Sequence, residues 1–257
     1  MNHSLSELRD AAEEFAKIGG NATLNHFKKT FRLEFKADDS PVTNADRDAE
    51  MLIRDEINKN FPAHGIIGEE FGREREDADI VWVLDPIDGT QSFIHGIPLY
   101  TTLIGILVKG VPEVGVIYAP ALGELVSAAT GLGTALNGES CSIRKCDSLD
   151  KATFLSTEVS TFEDYGFLNP FQQLLSKTRL HRTWGDAYGH LMVATGRADI
   201  MFDPVLNIWD AAALLPVVTE AGGKFTDVNG KPTIHTGNGI SSSPGLLPEI
   251  LSFFEEN

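Results

Sequence analysis

The chain is predicted to be an α/β (α+β) protein, and three observations carry that expectation. Two stretches, one at the start and one near residues 43–60, space their apolar residues at helical intervals. A short run rich in β-branched and aromatic residues, Ile80, Val81, Trp82, Val83 and Leu84, has the length of a buried strand and ends on acid. A middle section, Thr101 to about Ile143, reads as successive antiparallel strands.

Along the chain, Leu5, Leu8, Ala12 and Phe15 share one helical face, and Ser4 with Glu7 fits a capping box. Gly19-Gly20 is a candidate end or interruption of that helix. A second helix is expected from about Thr43 to Asn60, on Ala45, Ala49, Leu52, Ile53 and Ile57, broken by "FPAHG". "IIGEE" follows as a short strand closing on two glutamates. The middle strands are "TLIGILV", "EVGVIYA" and "ELVSAA", separated by Gly, Pro and acidic residues. Further on, Tyr188 to Thr195 reads as helix, "DIMF" as strand, and "WDAAALLPVVTEAGG" as a helix closing at Gly222-Gly223. Pro216 inside it is expected to kink or split it, because proline removes a backbone donor.

With 257 residues and 42% hydrophobic content, the chain can bury a substantial core, as one large domain or two tightly packed halves. A formal charge of −16 argues against nucleic-acid binding, which calls for a basic footprint. Cys141 and Cys146 are too few and too close together for a disulfide framework or a zinc site, and a reducing cytoplasm is the natural expectation. "SELRDAAEEF" lacks the basic start and apolar core of a secretory signal. No apolar run reaches the ~18 residues of a membrane span.

Carboxylates sit at the ends of apolar elements in three places: Glu69 and Glu70 after "IIG", Asp85 and Asp88 after "VWVL", and Asp210 after "NIW". Singly, each has an ordinary structural role to hand: an Asx-type turn for Asp85 and Asp88, a solvated loop for the glutamates, a helix first turn for Asp210, a cap for Asp46 beside Thr43. If they converge, repulsion and desolvation call for a cation among them, and a hard divalent ion such as Mg²⁺ suits oxygen ligands. Gly89-Thr90 adds a turn able to present backbone N–H groups to an anion. Together these make a phosphate site.

"GEE" at 68–70, "DPIDGTQSFIHGIP" at 85–98, "WDAAA" at 209–213 and "EAGG" at 220–223 resemble the signature of the inositol monophosphatase family. "PVTNAD" at 41–46 is similar to its upstream motif. The resemblance covers nearly the whole chain in order. It implies one domain over 1–257, in a layered α/β/α/β/α sandwich, with the main metal motif in 1–145 and Asp210 in 146–257. It implies Mg²⁺-dependent hydrolysis of a small phosphate monoester by a metal-activated water, with two or three ions per site, in a homodimer; cysteine usage, hydropathy and charge add the expectation of a cytoplasmic protein with neither membrane nor nucleic-acid partner. By motif position, Glu69, Asp85, the Ile87 carbonyl, Asp88 and Asp210 would hold metal. Glu69, Glu70, Thr90 and Asp46 would orient or deprotonate the water, and Gly89 and Thr90 would cradle phosphate.

Specificity is expected in "RTWGDAYGHLMVATGRADIMFDPVLNIWD", where Arg182, Asp186, Asp203 and Asp210 stand on the substrate side. Inositol-specific members tend to carry a small residue after the glycine; here it is Asp186, which suits a cationic leaving group. With "WGDAYGH" and "NIWDAAALLPVVTEAGG", the chain is most similar to the family's histidinol-phosphatase branch, and L-histidinol phosphate is the expected substrate. The competing expectations are inositol 1-phosphate, a broader set of sugar phosphates, a nucleotide 3′,5′-bisphosphate, and an idle metal-binding regulator.

Overall fold

Helix α1, Leu5–Thr23, starts with the expected capping box: Ser4 Oγ accepts from Glu7 N–H at 3.2 Å, and Ser4 N–H donates to the Glu7 carboxylate at 2.8 Å. In the computed structural model, which describes residues 3–29, 33–35 and 41–255, this helix passes straight through Gly19 and Gly20. Those glycines are packing notches, not a stop. A Cβ on Gly19 would lie 2.5 Å from the Ile53 side chain, and one on Gly20 would lie 2.6 Å from the Tyr118 ring. Strands β1, Leu33–Phe35, and β2, Pro41–Thr43, form a small antiparallel pair that leads into α2, Asn44–Asn60.

Eight strands form the first sheet: β3 Gly65–Gly68, β4 Gly72–Glu74, β5 Ile80–Asp88, β6 Thr101–Val108, β7 Val111–Ala119, β8 Glu124–Ala129, β9 Gly133–Leu136 and β10 Glu139–Cys141. Their order is β10-β9-β8-β7-β6-β5-β3-β4, with β3 and β5 parallel and the other neighbours antiparallel. A short helix, α3, Thr90–Ile94, leaves the end of β5. The second sheet is built from β11 Thr153–Leu155, β12 Leu180–Arg182, β13 Ile200–Asp203, β14 Lys224–Thr226 and β15 Gly239–Ser242, in the order β12-β11-β13-β15-β14. The remaining helices are α4 Thr161–Asp164, α5 Leu168–Lys177, α6 Asp186–Ala194, α7 Ile208–Glu220 and α8 Leu247–Glu255.

Alternation along the strands sorts these pieces into five layers. One face of the first sheet, through Trp82, Leu84, Ile104 and Val116, meets Leu8 and Phe15 of α1 and Ile53 of α2. The opposite face, through Val83, Leu103 and Ile117, meets Leu191 of α6 and Leu214 and Val217 of α7. On the second sheet, Leu155 and Met201 face α6, while Phe154, Ile200 and Phe202 face α4, α5 and α8 through Phe162, Phe171 and Phe253. The order is therefore α/β/α/β/α.

Helix α7 runs on through Pro216, so of the two expected outcomes, a kink or a split, the split does not occur. The reason lies on the sheet. Gly105 and Gly115 pair across β6 and β7 and make a flat spot, where a Cβ would lie 2.6 Å from Ala212 Cβ and 2.2 Å from the Ala213 carbonyl oxygen, respectively. Small residues on both sides let the helix lie almost on the strands, and the buried Pro216 ring packs against the same spot, 2.9 Å from that Gly115 position. Tertiary contact thus offsets the missing backbone donor.

This close approach fixes the height of α7 above the sheet, and with it Asp210 in its first turn. Gly115→Ala is expected to lower unfolding stability by about 1–3 kcal/mol through overpacking, read by urea denaturation. A change below about 0.5 kcal/mol, the level of a neutral surface substitution, would contradict it.

Candidate active site

The stretch "LDPID" ends β5 inside the first sheet, where a proline needs a special place. A one-residue bulge provides it: Asp85 pairs with Leu103 and Asp88 with Thr101, so three steps on β5 match two on β6. The strand therefore runs through both aspartates, further than the apolar run alone implied. Thr102 Oγ1 donates to the Pro86 carbonyl at 2.8 Å, and Ile87 N–H donates to Asp85 Oδ1 at 3.0 Å. The Asx-type turn and the carboxylate display are thus the same structure.

Gly89 then takes φ +80°, and α3 begins at Thr90. A side chain at 89 is excluded twice over, because its Cβ would also lie 2.8 Å from Asp186 Oδ2. On the facing wall, Asp210 caps α7 by accepting from Asn207 N–H at 2.6 Å. Asp85, Asp88 and Asp210 each bring a carboxylate oxygen within 4.8 Å of the others. Glu69 follows β3, its N–H donating to the Leu84 carbonyl at 3.2 Å, and lines the same cavity.

That cavity, about 710 Å³, is lined by seven carboxylates, Glu69, Asp85, Asp88, Glu158, Asp186, Asp203 and Asp210, and by no Lys, Arg or His among the described residues. Asp85 is buried, while Asp88 and Asp210 are partly open to the cavity. Desolvation is nonetheless the largest effect on all three, and with repulsion among Glu69, Asp88, Asp186 and their neighbours it holds these carboxyls well above the usual range. Burial, then Asp203 and Asp210, push Asp186 up to about 7.

Residues 4–256 match the model of the inositol monophosphatase family. The chain belongs to that family. It is 42% identical over 237 residues, 92% of each chain, to a histidinol-phosphatase of Chlorobaculum parvum. A histidinol-phosphatase of Streptomyces coelicolor is 35% identical over all of this chain and 99% of its own. Among solved structures, an inositol monophosphatase from Zymomonas mobilis superposes with a TM-score of 0.88 at 33% identity, over 99% of this chain and all of that one. The protein is a phosphoric monoester hydrolase of this metal-dependent family.

The residues present fit divalent cations. A phosphate ester is itself an anion, and a wall of seven carboxylates with no basic side chain would repel it unless cations stood between. Asp85, Asp88 and Asp210 supply hard oxygen donors at close range.

Other expected residues fall elsewhere. Asp46 is buried beneath the Glu69-Glu70 turn and accepts from the Thr43 N–H and hydroxyl at 2.8 and 2.6 Å. Burial, with smaller repulsion from Glu70 and Glu69, raises its carboxyl to about 7. Thr90 Oγ1 donates to the Ile87 carbonyl at 3.1 Å, so Thr90 and Asp46 each have their own partner. Glu70 and Asp46 stand behind the cavity wall. Arg182 is exposed on β12, donates to the His181 carbonyl and lies outside the cavity; the edge position of β12 turns it to solvent.

Sequence reasoning missed the support beneath the glutamate turn. Glu50, wholly buried on α2, accepts from the N–H groups of Glu70 and Phe71 at 2.7 and 3.2 Å, and Arg54 donates to it at 2.7 Å. It also missed Thr157, whose hydroxyl donates to Asp203 Oδ1 at 2.5 Å, and Thr101, which donates to Asp88 at 3.1 Å. An i,i+4 Glu-Arg pair looks like surface in a sequence, and only the fold buries it.

Carboxyls held high in the folded state favour folding while protonated and lose that contribution as pH rises through their folded values, about 7 for Asp46 and Asp186. The melting temperature of chelator-treated protein should therefore fall between about pH 4 and pH 7, and added Mg²⁺ should raise it more at the upper end. A Mg²⁺ shift that shrinks as pH rises would contradict this.

Proposed function

We propose that the chain hydrolyses L-histidinol phosphate to histidinol and phosphate, with Mg²⁺ as its cofactor. The observation that carries this reading is the pair Asp186 and Asp203, two further carboxylates lining the cavity beyond the metal cluster. Histidinol carries an ammonium and an imidazole, and an acidic wall rewards such a leaving group over a neutral polyol. The histidinol-phosphatases of Chlorobaculum parvum and Streptomyces coelicolor, at 42% and 35% identity, point the same way. Similarity to the inositol monophosphatase from Zymomonas mobilis favours myo-inositol 1-phosphate as the second reading.

In this mechanism Glu69, Asp85, the Ile87 carbonyl, Asp88 and Asp210 hold the cations. When bound, such ions polarise the phosphoryl oxygens, activate water and steady the leaving oxygen. The Gly89 and Thr90 N–H groups, opened by the left-handed backbone at 89, orient the phosphate. Glu69 and Glu70, with Thr90 and the Asp46 carboxyl behind them, serve the attacking water, and the α2 pair Glu50-Arg54 keeps their turn in place. Asp186 and Asp203 face the leaving group from the wall beyond the metal cluster.

The test is phosphate release from L-histidinol phosphate and myo-inositol 1-phosphate side by side, with Mg²⁺ and with excess chelator. A metal-dependent preference for the histidinol ester is expected. Asp186→Ser should raise KM for that ester about tenfold, on the order of 1.4 kcal/mol, and affect the inositol ester less. A preference for the inositol ester, or equal effects of Asp186→Ser on both, would contradict the assignment.

A further inference from the structure

The inner face of α6 carries a histidine that the reaction described above leaves without a task. His190 is wholly buried; its Nε2 lies 3.0 Å from Asp203 Oδ2 and its Nδ1 lies 2.6 Å from Ser241 Oγ. A carboxylate only accepts, so Nε2 carries the hydrogen given to Asp203, while Nδ1 is matched by the Ser241 hydroxyl, which can donate or accept. The ring leans on Phe225, with centroids 5.8 Å apart, so it has little room to turn.

The network does not end in the core. Asp203 lines the substrate cavity, and its other oxygen accepts from Thr157 Oγ1. Thr157 Oγ1 in turn accepts from Asp186 N–H at 2.8 Å, and Asp186, at φ +54°, opens α6. The next N–H, that of Ala187, donates to Asp88 at 2.7 Å. One connected path thus runs from Ser241 in the second sheet through His190 and Asp203 to the acidic wall. An apolar side chain would fill the space under α6 as well as an imidazole does. A buried imidazole with both nitrogens matched confers something else: it fixes the orientation of the carboxylate it touches.

We propose that His190 is a positioning residue for leaving-group selection: braced by Ser241 from the other side of its ring, it holds the Asp203 carboxylate at the angle from which it meets a cationic group. Like the assignment of L-histidinol phosphate, on which it rests, this makes the acidic wall the source of specificity. His190 does not touch substrate. It acts through Asp203, whose two oxygens are each pinned from behind, by His190 and by Thr157, leaving lone pairs for the cavity.

The experiment compares wild type, His190→Phe, His190→Gln, Asp203→Asn and the double variant His190→Phe/Asp203→Asn, on L-histidinol phosphate and on β-glycerophosphate, whose leaving group is neutral. His190→Phe should raise KM for the histidinol ester about tenfold more than for β-glycerophosphate, and His190→Gln, which keeps an N–H near the Nε2 position, should recover most of that difference. On top of Asp203→Asn, His190→Phe should add less than about twofold, the signature of two residues acting as one. Equal losses on both substrates, additive effects in the double variant, or a Gln variant no better than Phe would overturn the proposal. If wild type shows no preference for the histidinol ester, the substrate assignment fails separately. A crystal structure of His190→Phe then decides the positioning role: a displaced Asp203 carboxylate supports it and an unmoved one overturns it. Should His190→Phe not fold, as a melting curve will show, Ser241→Ala tests the same claim by removing the partner that braces the ring at Nδ1, with a smaller shift in the same direction.

Discussion

Carboxylates forced together out of water repel one another and resist losing their hydration, and much of this protein exists to hold them together regardless. The resistance is visible in Asp85, Asp88 and Asp210, whose carboxyls are all held above their ordinary range by burial and by each other. A cluster of this kind stays in place only where the backbone delivering it is anchored by other means. Here each carboxylate is tied locally: Asp85 by its own turn, Asp88 by Thr101 and Ala187, Asp210 by the cap of α7. Divalent cations convert the cost of this arrangement into binding.

The anchoring reaches well beyond the cavity. Asp210 is at the right height because α7 lies on the Gly105-Gly115 flat spot, a contact between two halves of the chain about a hundred residues apart. The Glu69-Glu70 turn is fixed from α2 by Glu50 and Arg54. The facing wall, Asp186 and Asp203, hangs from the second sheet. Helix α6 joins the two systems, because its first N–H groups bond to Thr157 on one side and to Asp88 on the other. The acidic cluster and the facing wall are therefore tied to two successive residues of one helix.

What was legible in the sequence is what depends on local pattern. Acid at the ends of apolar runs, the Ser4-Glu7 box and the Thr43-Asp46 cap all follow from short-range chemistry, and the fold has them where the pattern puts them. What was illegible depends on partners far off in the chain. Gly19-Gly20 reads as a helix end until Ile53 and Tyr118 are seen pressed against it, and Pro216 reads as a break until Gly115 is placed beneath it. Glu50 and Arg54 look like a surface pair until the fold buries them beneath the glutamate turn. Asp186 was legible as a residue type, but its seat directly over Gly89 came only from the α6 start with its positive φ.

The proposed cation site lies among Asp85, Asp88 and Asp210, which the fold holds together by its own hydrogen bonds. The most direct measurement is an anomalous difference map from crystals grown with Mn²⁺ as a stand-in for Mg²⁺. The account predicts its strongest peak between these three carboxylates, lost in Asp88→Asn. A map with no peak there, from protein whose phosphate release survives chelator, would contradict it.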